Sequence, residues 1–151
     1  MIDFHNHILP DIDDGSRNIN MTLNMLREAE RQGITEVVNT VHLQHPKMAK
    51  KDVSFEYISK VLNKLRGRVK KEKINIKIHI GSEVYFQNNL TDILDNPIST
   101  ISNKKFMLIE FPVLQFPVGY MDELFNIQLK GVTPIIAHPE RYREVNSNIN
   151  I

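Results

Sequence analysis

Apolar and polar positions along the chain follow two periods. A spacing of three and four residues predicts amphipathic helices over residues 20–32, 53–71 and 121–130. Short apolar or β-branched runs predict strands over residues 2–5, 35–40, 74–80, 106–111 and 132–137. Residues 10–15 are expected to form an acidic turn, and residues 146–151 resemble the first turn of another helix. Strands separated by helices indicate βα units, and therefore a parallel sheet or barrel.

Composition narrows the class of protein. The chain has 151 residues, of which 41% are hydrophobic and 25% charged, as expected for a globular protein with one core. A net charge of +1 gives no reason to expect nucleic acid as a partner. Membrane insertion is not expected, because no apolar run reaches roughly 18 residues, and the N-terminus lacks a secretory pattern. We therefore expect a cytoplasmic location.

The chain contains no cysteine. A thiolate nucleophile is therefore excluded, and any hydrolysis must depend on a metal, a hydroxyl, a carboxylate or a histidine. Four common templates are also missing from the sequence, namely GxSxG, GxGxxG, the Walker A loop and HExxH.

Metal-ligating residue types recur where the predicted strands end. His5 and His7 close the first strand, and their spacing places both imidazoles on one side of an extended chain. Four further candidates follow or close the later strands: His42, Glu83, Glu110 and His138. The carboxyl ends of strands converge on one face of a βα barrel, so these side chains are expected to meet at a metal site. Asp13 and Asp14 add carboxylates from the first loop.

Each candidate taken alone has an ordinary alternative. A histidine pair can lie on the surface, a buried histidine is commonly satisfied by hydrogen bonds, and Glu83 could open a helix. Glu110 is more informative, because a carboxylate in the apolar run MLIEFP is costly to bury unless a cation lies nearby. Arg141 could hold phosphate oxygens or form a surface salt bridge. His45 is a candidate for the rim of the site, and His79 is interpreted as an ordinary strand histidine.

The mixture of ligand types indicates the chemistry. Carboxylates beside imidazoles suit Mn²⁺, Fe²⁺ or Zn²⁺, and the lack of thiolates argues against a structural zinc. Neighbouring divalent ions can bridge a phosphate and lower the pKa of a shared water. The sequence therefore predicts phosphoester hydrolysis, with Arg141 and Glu110 as the catalytic candidates.

Five segments resemble the PHP superfamily (polymerase and histidinol phosphatase) when taken in the order IDFHNHILPDIDDGS, NTVHLQHP, GSEVYF, LIEFP and IIAHPERY. More closely, they resemble the tyrosine phosphatases of capsular and exopolysaccharide operons in Gram-positive bacteria. The resemblance implies an α/β fold, a PHP-type distorted (βα) barrel with about five βα units present. It implies one domain over residues 1–151 that lacks the C-terminal units of the family. The implied substrate is the phosphotyrosine tail of a cognate tyrosine autokinase that controls polysaccharide synthesis.

The resemblance also implies ligands for up to three ions, commonly Mn²⁺, with Fe²⁺, Zn²⁺ or Mg²⁺ as alternatives. The first ion would be bound by His5, His7 and Glu83. The second would be bound by Glu83, Glu110 and His138, and the third by Asp14 and His42. Arg141 matches the family's phosphate-contacting arginine.

The sequence departs from the family pattern in two places. Leu43 stands where a second histidine usually follows the first. The Asp-x-His that normally supplies later ligands is not in the sequence, so we expect a truncated product or a fragment. Self-association through an exposed barrel edge is expected for such a chain. Two alternatives stay open: another PHP phosphoesterase of the histidinol phosphatase kind, and a catalytically impaired metal-binding remnant.

Overall fold

The protein is described by a computed structural model that covers residues 1–49 and 51–147. The elements of this part of the chain are β1 (Ile2–Asn6), α1 (Ile19–Arg31), β2 (Glu36–Leu43), α2 (Phe55–Lys71), β3 (Lys77–Tyr85), β4 (Phe106–Glu110), α3 (Tyr120–Leu129), β5 (Thr133–Ile136) and α4 (Arg143–Ser147). The strands follow the chain order β1-β2-β3-β4-β5 in the sheet. The pairings of β1 with β2, β3 with β4 and β4 with β5 are parallel, as predicted for an α/β fold.

The predicted helices and strands are present, but three strands end later than predicted, β1 by one residue and β2 and β3 by more. β2 continues to Leu43, and β3 spans residues 77–85 instead of 74–80. His42 and Glu83 were predicted to follow their strands, and this was wrong, since both lie inside them. Polarity misplaced the end of β3, because Ser82 and Glu83 are polar residues that the fold nevertheless buries.

Two further segments, 86–105 and 146–151, bear on the predicted pattern of helices. Residues 86–105 join β3 to β4 through turns, and no α-helix lies within that described segment. The helix expected over residues 146–151 overlaps the end of α4, and its positions from 148 onward lie outside the described residues. Every helix among the described residues is too short or too polar to cross a lipid bilayer.

The chain divides into two compact units. The first comprises Met1–His42 and Lys47–Gly81, and the second comprises Leu43–Pro46 and Ser82–Ile151. The first unit owes its helices to local signals. The side chain of Asn18 accepts a hydrogen bond from Met21 N at the start of α1, and Ser54 does the same for Tyr57 N at the start of α2. After α1 the backbone turns at Gly33 with a φ of 81°, a conformation that favours glycine.

Apolar faces of these elements form the core of the first unit. Its buried side chains from α1, α2 and β2 are Leu23, Leu26, Ile58, Leu62, Leu65, Val69, Val37, Val38 and Val41. Each such side chain favours folding by about 1.5–3 kcal/mol when fully buried. The amphipathic spacing that predicts α1 and α2 is therefore the spacing that fills this core.

An aromatic group organises the core of the second unit. The ring of Phe111, which directly follows β4, lies 5.2 Å from that of Phe86, 5.1 Å from Phe116, 5.5 Å from Tyr120 and 5.9 Å from Tyr142 between centroids. The tilted and edge-on orientations are those that aromatic pairs prefer. This packing surrounds the ends of β4 and β5, where candidate ligands lie.

Candidate metal centres

Five polar residues of the first unit gather around the carboxyl ends of β1 and β2. We call them the β1–β2 cluster: His5, His7, Asp13, Asp14 and His42. The Nε2 atoms of His5 and His7 are 3.2 Å apart, and the ring centroids of His7 and His42 are 4.7 Å apart. His42 Nε2 lies 3.3 Å from Asp14 Oδ1. Ligand atoms of His7, Asp14 and His42 all lie within 4.8 Å of one another.

The two aspartates of this cluster differ in environment. Only 2% of the Asp13 side chain is exposed, compared with 67% for Asp14. Asp13 Oδ2 lies 2.8 Å from His7 Nδ1 and accepts a hydrogen bond from His42 N at 3.3 Å, while Oδ1 accepts one from Gly15 N at 3.2 Å. Burial tends to raise the pKa of Asp13, but the hydrogen bond and charge of His7, helped by Gly15 and His42, outweigh burial and lower it. Asp13 is therefore a buried carboxylate anion.

The loop that carries these aspartates is held by apolar anchors and one asparagine. Ile12, inside the predicted acidic turn, is 3% exposed, and Ile8 and Leu9 just before that turn are each 1% exposed, so this loop is also part of the core. Asn39 Oδ1 accepts hydrogen bonds from Ile8 N at 3.1 Å and Leu9 N at 2.9 Å. The sequence interpretation missed Asn39, although an asparagine inside the β-branched run EVVNTV is an available signal, because a buried amide needs partners.

Gly15 closes the same loop against β1. A Cβ atom at this position would overlap the carbonyl oxygen and the Cβ of His7. The next residue, Ser16, donates its backbone N–H to the same His7 oxygen at 3.0 Å. A glycine is therefore required for the loop to approach the histidine this closely.

Four residues of the second unit form another group, the β3–β5 cluster: His45, Glu83, Glu110 and His138. Glu83 lies within β3 and is 1% exposed, Glu110 is the last residue of β4, and His138 follows β5. His138 Nε2 lies 2.8 Å from Glu83 Oε1 and 3.8 Å from Glu110 Oε1. Ligand atoms of these three residues lie within 4.8 Å of one another.

His45 lies closer to this cluster than its predicted place at a rim implies. Its Nε2 is 3.7 Å from Glu110 Oε2, and 12% of its side chain is exposed. Its ring meets that of Tyr85 edge-on, with centroids 4.9 Å apart. The signal in the sequence was weak, because His45 lies in a loop between two elements and only folding brings it to the end of β4.

Tyr142 ties together the two segments that carry Glu110 and His138. Its hydroxyl donates to Ala137 O at 2.8 Å and accepts from Phe111 N at 3.0 Å. Burial raises the pKa of Tyr142 to about 12; the Phe111 amide opposes this shift, while nearby glutamates, Glu110 first, add to it. The hydroxyl is therefore neutral at ordinary pH and acts as a hydrogen-bonding bridge.

The remaining predicted residues lie outside these clusters. Arg141 ends the short 3-10 turn Pro139–Arg141, where it is exposed to solvent and its backbone N–H donates to His138 O at 3.0 Å. His79 lies 2.5 Å from Glu36 across β2 and β3, which agrees with its interpretation as an ordinary strand histidine.

The donors of both clusters fit divalent cations. Each cluster combines imidazole nitrogens with carboxylate oxygens, a set that suits Mn²⁺, Fe²⁺ and Zn²⁺. Glu83 supports this fit, because a carboxylate that is 1% exposed is costly to bury without compensating positive charge. Both clusters therefore offer donor sets that could hold a divalent cation.

Comparisons with known proteins place this chain in a family. Residues 1–151 match the family described as capsular polysaccharide synthesis, CpsB/CapC, and the chain belongs to that family. It is 33% identical to CapC of Staphylococcus aureus over 153 residues, an alignment covering 100% of this chain and 58% of CapC. It is 36% identical over 150 residues to the tyrosine-protein phosphatase YwqE of Bacillus subtilis, covering 98% of this chain and 58% of YwqE.

A solved structure of the same family also resembles this chain. It comes from work on YwqE of Bacillus subtilis and CpsB of Streptococcus pneumoniae, described as unique metal-dependent tyrosine phosphatases. It matches with a TM-score of 0.91 and 33% identity, over 99% of this chain and 60% of that chain. The predicted family and fold class are confirmed. The chain spans 58% of the length of CapC and of YwqE.

Proposed function

We propose that this chain acts as a metal-dependent protein-tyrosine phosphatase that hydrolyses phosphotyrosine. The observation that carries the proposal is the β3–β5 cluster, in which ligand atoms of two carboxylates and one imidazole, from three separate segments, lie within 4.8 Å of one another. Membership of the CpsB/CapC family supports the choice of reaction, because YwqE and CpsB are described as metal-dependent tyrosine phosphatases.

The proposed ligands are the residues that the sequence suggested. In the β1–β2 cluster they are His5, His7, Asp14 and His42, and in the β3–β5 cluster they are Glu83, Glu110 and His138. Manganese is the proposed ion, with iron, zinc or magnesium as alternatives of the same charge. Divalent metal bound there would supply the acidity that lowers the pKa of water and would offset negative charge on the phosphate oxygens.

The chain's own residues complete the proposed mechanism. Arg141, exposed three residues beyond His138, holds two phosphoryl oxygens with its planar guanidinium. Glu110 is the proposed catalytic carboxylate, since it lies among the candidate ligand atoms, with Oε1 3.8 Å from His138 Nε2 and Oε2 3.7 Å from His45 Nε2. The leaving group needs little protonation, because a tyrosine phenol has a pKa of about 10.

The proposed substrate is the phosphotyrosine tail of a cognate tyrosine autokinase, and the proposed location is the cytoplasm. The family description, capsular polysaccharide synthesis, supports a role in regulating capsule or exopolysaccharide production.

Hydrolysis of a phosphotyrosyl peptide by the 151-residue chain, with and without Mn²⁺, tests the proposal. We expect turnover that depends on Mn²⁺ and is lost in EDTA. Glu83→Gln and His138→Gln should each reduce kcat/KM by more than the roughly 10- to 100-fold that loss of an outer-shell partner costs. His79→Gln is the matched control and should leave turnover unchanged, because His79 pairs with Glu36 outside both clusters.

Several results would contradict parts of the proposal. Turnover that survives EDTA would exclude a metal-dependent mechanism, and faster hydrolysis of histidinol phosphate would indicate another phosphoesterase. Binding of Mn²⁺ by calorimetry without turnover would identify a metal-binding remnant.

A separate pair of variants tests the arginine. Arg141→Lys keeps the charge but removes the planar fork, so kcat/KM should fall roughly 10- to 100-fold, which corresponds to about 1.5–3 kcal/mol for a hydrogen bond to a charged group. Arg143→Lys, two residues further along, changes an equally exposed guanidinium and should have no such effect. Equal effects from both variants would remove Arg141 from the mechanism.

A further inference from the structure

We propose that Asp13 is a positioning residue: it holds His7 in the tautomer with the proton on Nδ1 and the acceptor lone pair on Nε2, and it is not itself a metal ligand. The inference extends the proposed function, because that tautomer presents His7 Nε2 to a divalent cation. It assigns different roles to the adjacent aspartates Asp13 and Asp14, which have the same side chain.

Both carboxylate oxygens of Asp13 already have partners within the protein. Oδ2 lies 2.8 Å from His7 Nδ1 and 3.3 Å from His42 N, and Oδ1 lies 3.2 Å from Gly15 N. Two of these partners are backbone N–H groups, which can only donate. The carboxylate is 2% exposed, so solvent does not compete for either oxygen. Both oxygens of Asp13 therefore act as acceptors within the fold.

This arrangement determines where the proton of His7 lies. A neutral imidazole has one N–H donor and one acceptor nitrogen, and the partner of one nitrogen decides the state of the other. An acceptor-only carboxylate at Nδ1 requires the proton there, which puts the lone pair on Nε2. That atom lies 3.2 Å from Nε2 of His5, so the two imidazoles meet at the nitrogens that a shared cation would contact.

Asp13 also links the histidine to β2. The oxygen that faces His7 accepts the backbone N–H of His42, and the other oxygen accepts that of Gly15. Gly15 itself lies so close to His7 that no Cβ fits between them. Asp14 has none of this support: its side chain is 67% exposed, and its oxygen lies 3.3 Å from His42 Nε2, among the candidate ligand atoms.

Nuclear magnetic resonance of the metal-free chain at pH 8 tests the tautomer directly. Two-bond proton–nitrogen correlations distinguish the two neutral forms, and disappearance of signals in His7→Gln assigns the ring. We expect wild-type His7 to carry its proton on Nδ1. We expect Asp13→Ala to lose this preference, whereas Asp14→Asn and Asp11→Asn should keep it. Asp11 is the matched control, because it lies in the same loop with 87% of its side chain exposed.

Calorimetric titration with Mn²⁺ separates positioning from ligation. Asp13→Asn keeps an acceptor but loses the charge that strengthens His7 as a ligand, so affinity should fall roughly 10- to 100-fold. Asp14→Asn should lower affinity without altering the tautomer, and Asp11→Asn should change neither. Among these variants, only Asp13→Ala is expected both to alter the tautomer and to weaken binding.

The outcomes are distinguishable from those of the proposed function. Wild-type His7 with its proton on Nε2 would overturn the inference, and this outcome does not depend on the folding of any Asp13 variant. A wild-type tautomer in folded Asp13→Ala would overturn it as well. If the wild-type chain binds no Mn²⁺, the proposed function fails, and the tautomer of His7 still decides the role of Asp13.

Discussion

Replacing Tyr142 with phenylalanine removes a single oxygen atom that bridges the residues directly after β4 and directly after β5. The aromatic ring stays, so its packing against Phe111 should persist. The hydroxyl is lost as the acceptor for Phe111 N, at 3.0 Å, and as the donor to Ala137 O, at 2.8 Å. Phe111 and Ala137 are each 2% exposed, so water cannot readily replace the missing partner.

The expected loss of stability follows from these two groups. A buried polar group left without a partner costs about 1–3 kcal/mol, so two such groups give about 2–4 kcal/mol when partial relaxation is allowed. For a chain of this size, each kcal/mol lowers the melting temperature by about 2–4 °C, which gives a shift on the order of 10 °C. Urea unfolding and thermal melting of Tyr142→Phe measure both quantities.

A second measurement uses the pKa of the same hydroxyl. The folded chain raises the pKa of Tyr142 to about 12, whereas an unfolded tyrosine has a pKa of about 10. Between these pKa values the folded state retains a proton that the unfolded state releases. The contribution of the Tyr142 hydroxyl to folding stability is therefore complete below about pH 10 and is lost as the pH approaches 12. The stability difference between wild type and Tyr142→Phe should narrow over that interval.

The control is Tyr57→Phe, which alters a tyrosine that is 40% exposed and should change stability by less than about 0.5 kcal/mol. An equally small effect of Tyr142→Phe would refute the bridging role. A stability difference that is unaffected by pH between 10 and 12 would refute the raised pKa.

Two further predictions concern the first unit. Gly15→Ala should destabilise the chain by about 1–3 kcal/mol in urea unfolding, because the added Cβ overlaps His7. Gly67→Ala is the control: its Cβ would meet nothing within 4 Å in α2, so it should stabilise the chain by up to about 1 kcal/mol. The hydrogen bond from His79 lowers the pKa of Glu36, so His79→Ala should raise the Glu36 titration midpoint seen by carbon NMR, and an unchanged midpoint would contradict that cause.

The helices could be predicted because their signals are local. Capping by Asn18 and Ser54, the glycine after α1 and the spacing of apolar residues all act within a few turns of chain. The end of β3 could not be predicted in this way. Ser82 and Glu83 read as polar, yet they are 0% and 1% exposed, and only the pairing of β3 with β4 explains their place in a strand.

The candidate ligands could be named because residue type limits metal chemistry. Imidazoles and carboxylates at strand ends are few in a chain of 151 residues without cysteine, so the sequence determined the α/β class and most of the candidate ligands that the fold brings together. Residue type and spacing alone did not separate Asp13 from Asp14, which only the family resemblance distinguished. The sequence also could not place His45 beside Glu110 or give Tyr142 its bridging role. Those distinctions depend on burial and on contacts between residues far apart in the chain. Only the tertiary structure decides them, because a side chain loses water and acquires partners through its neighbours in space.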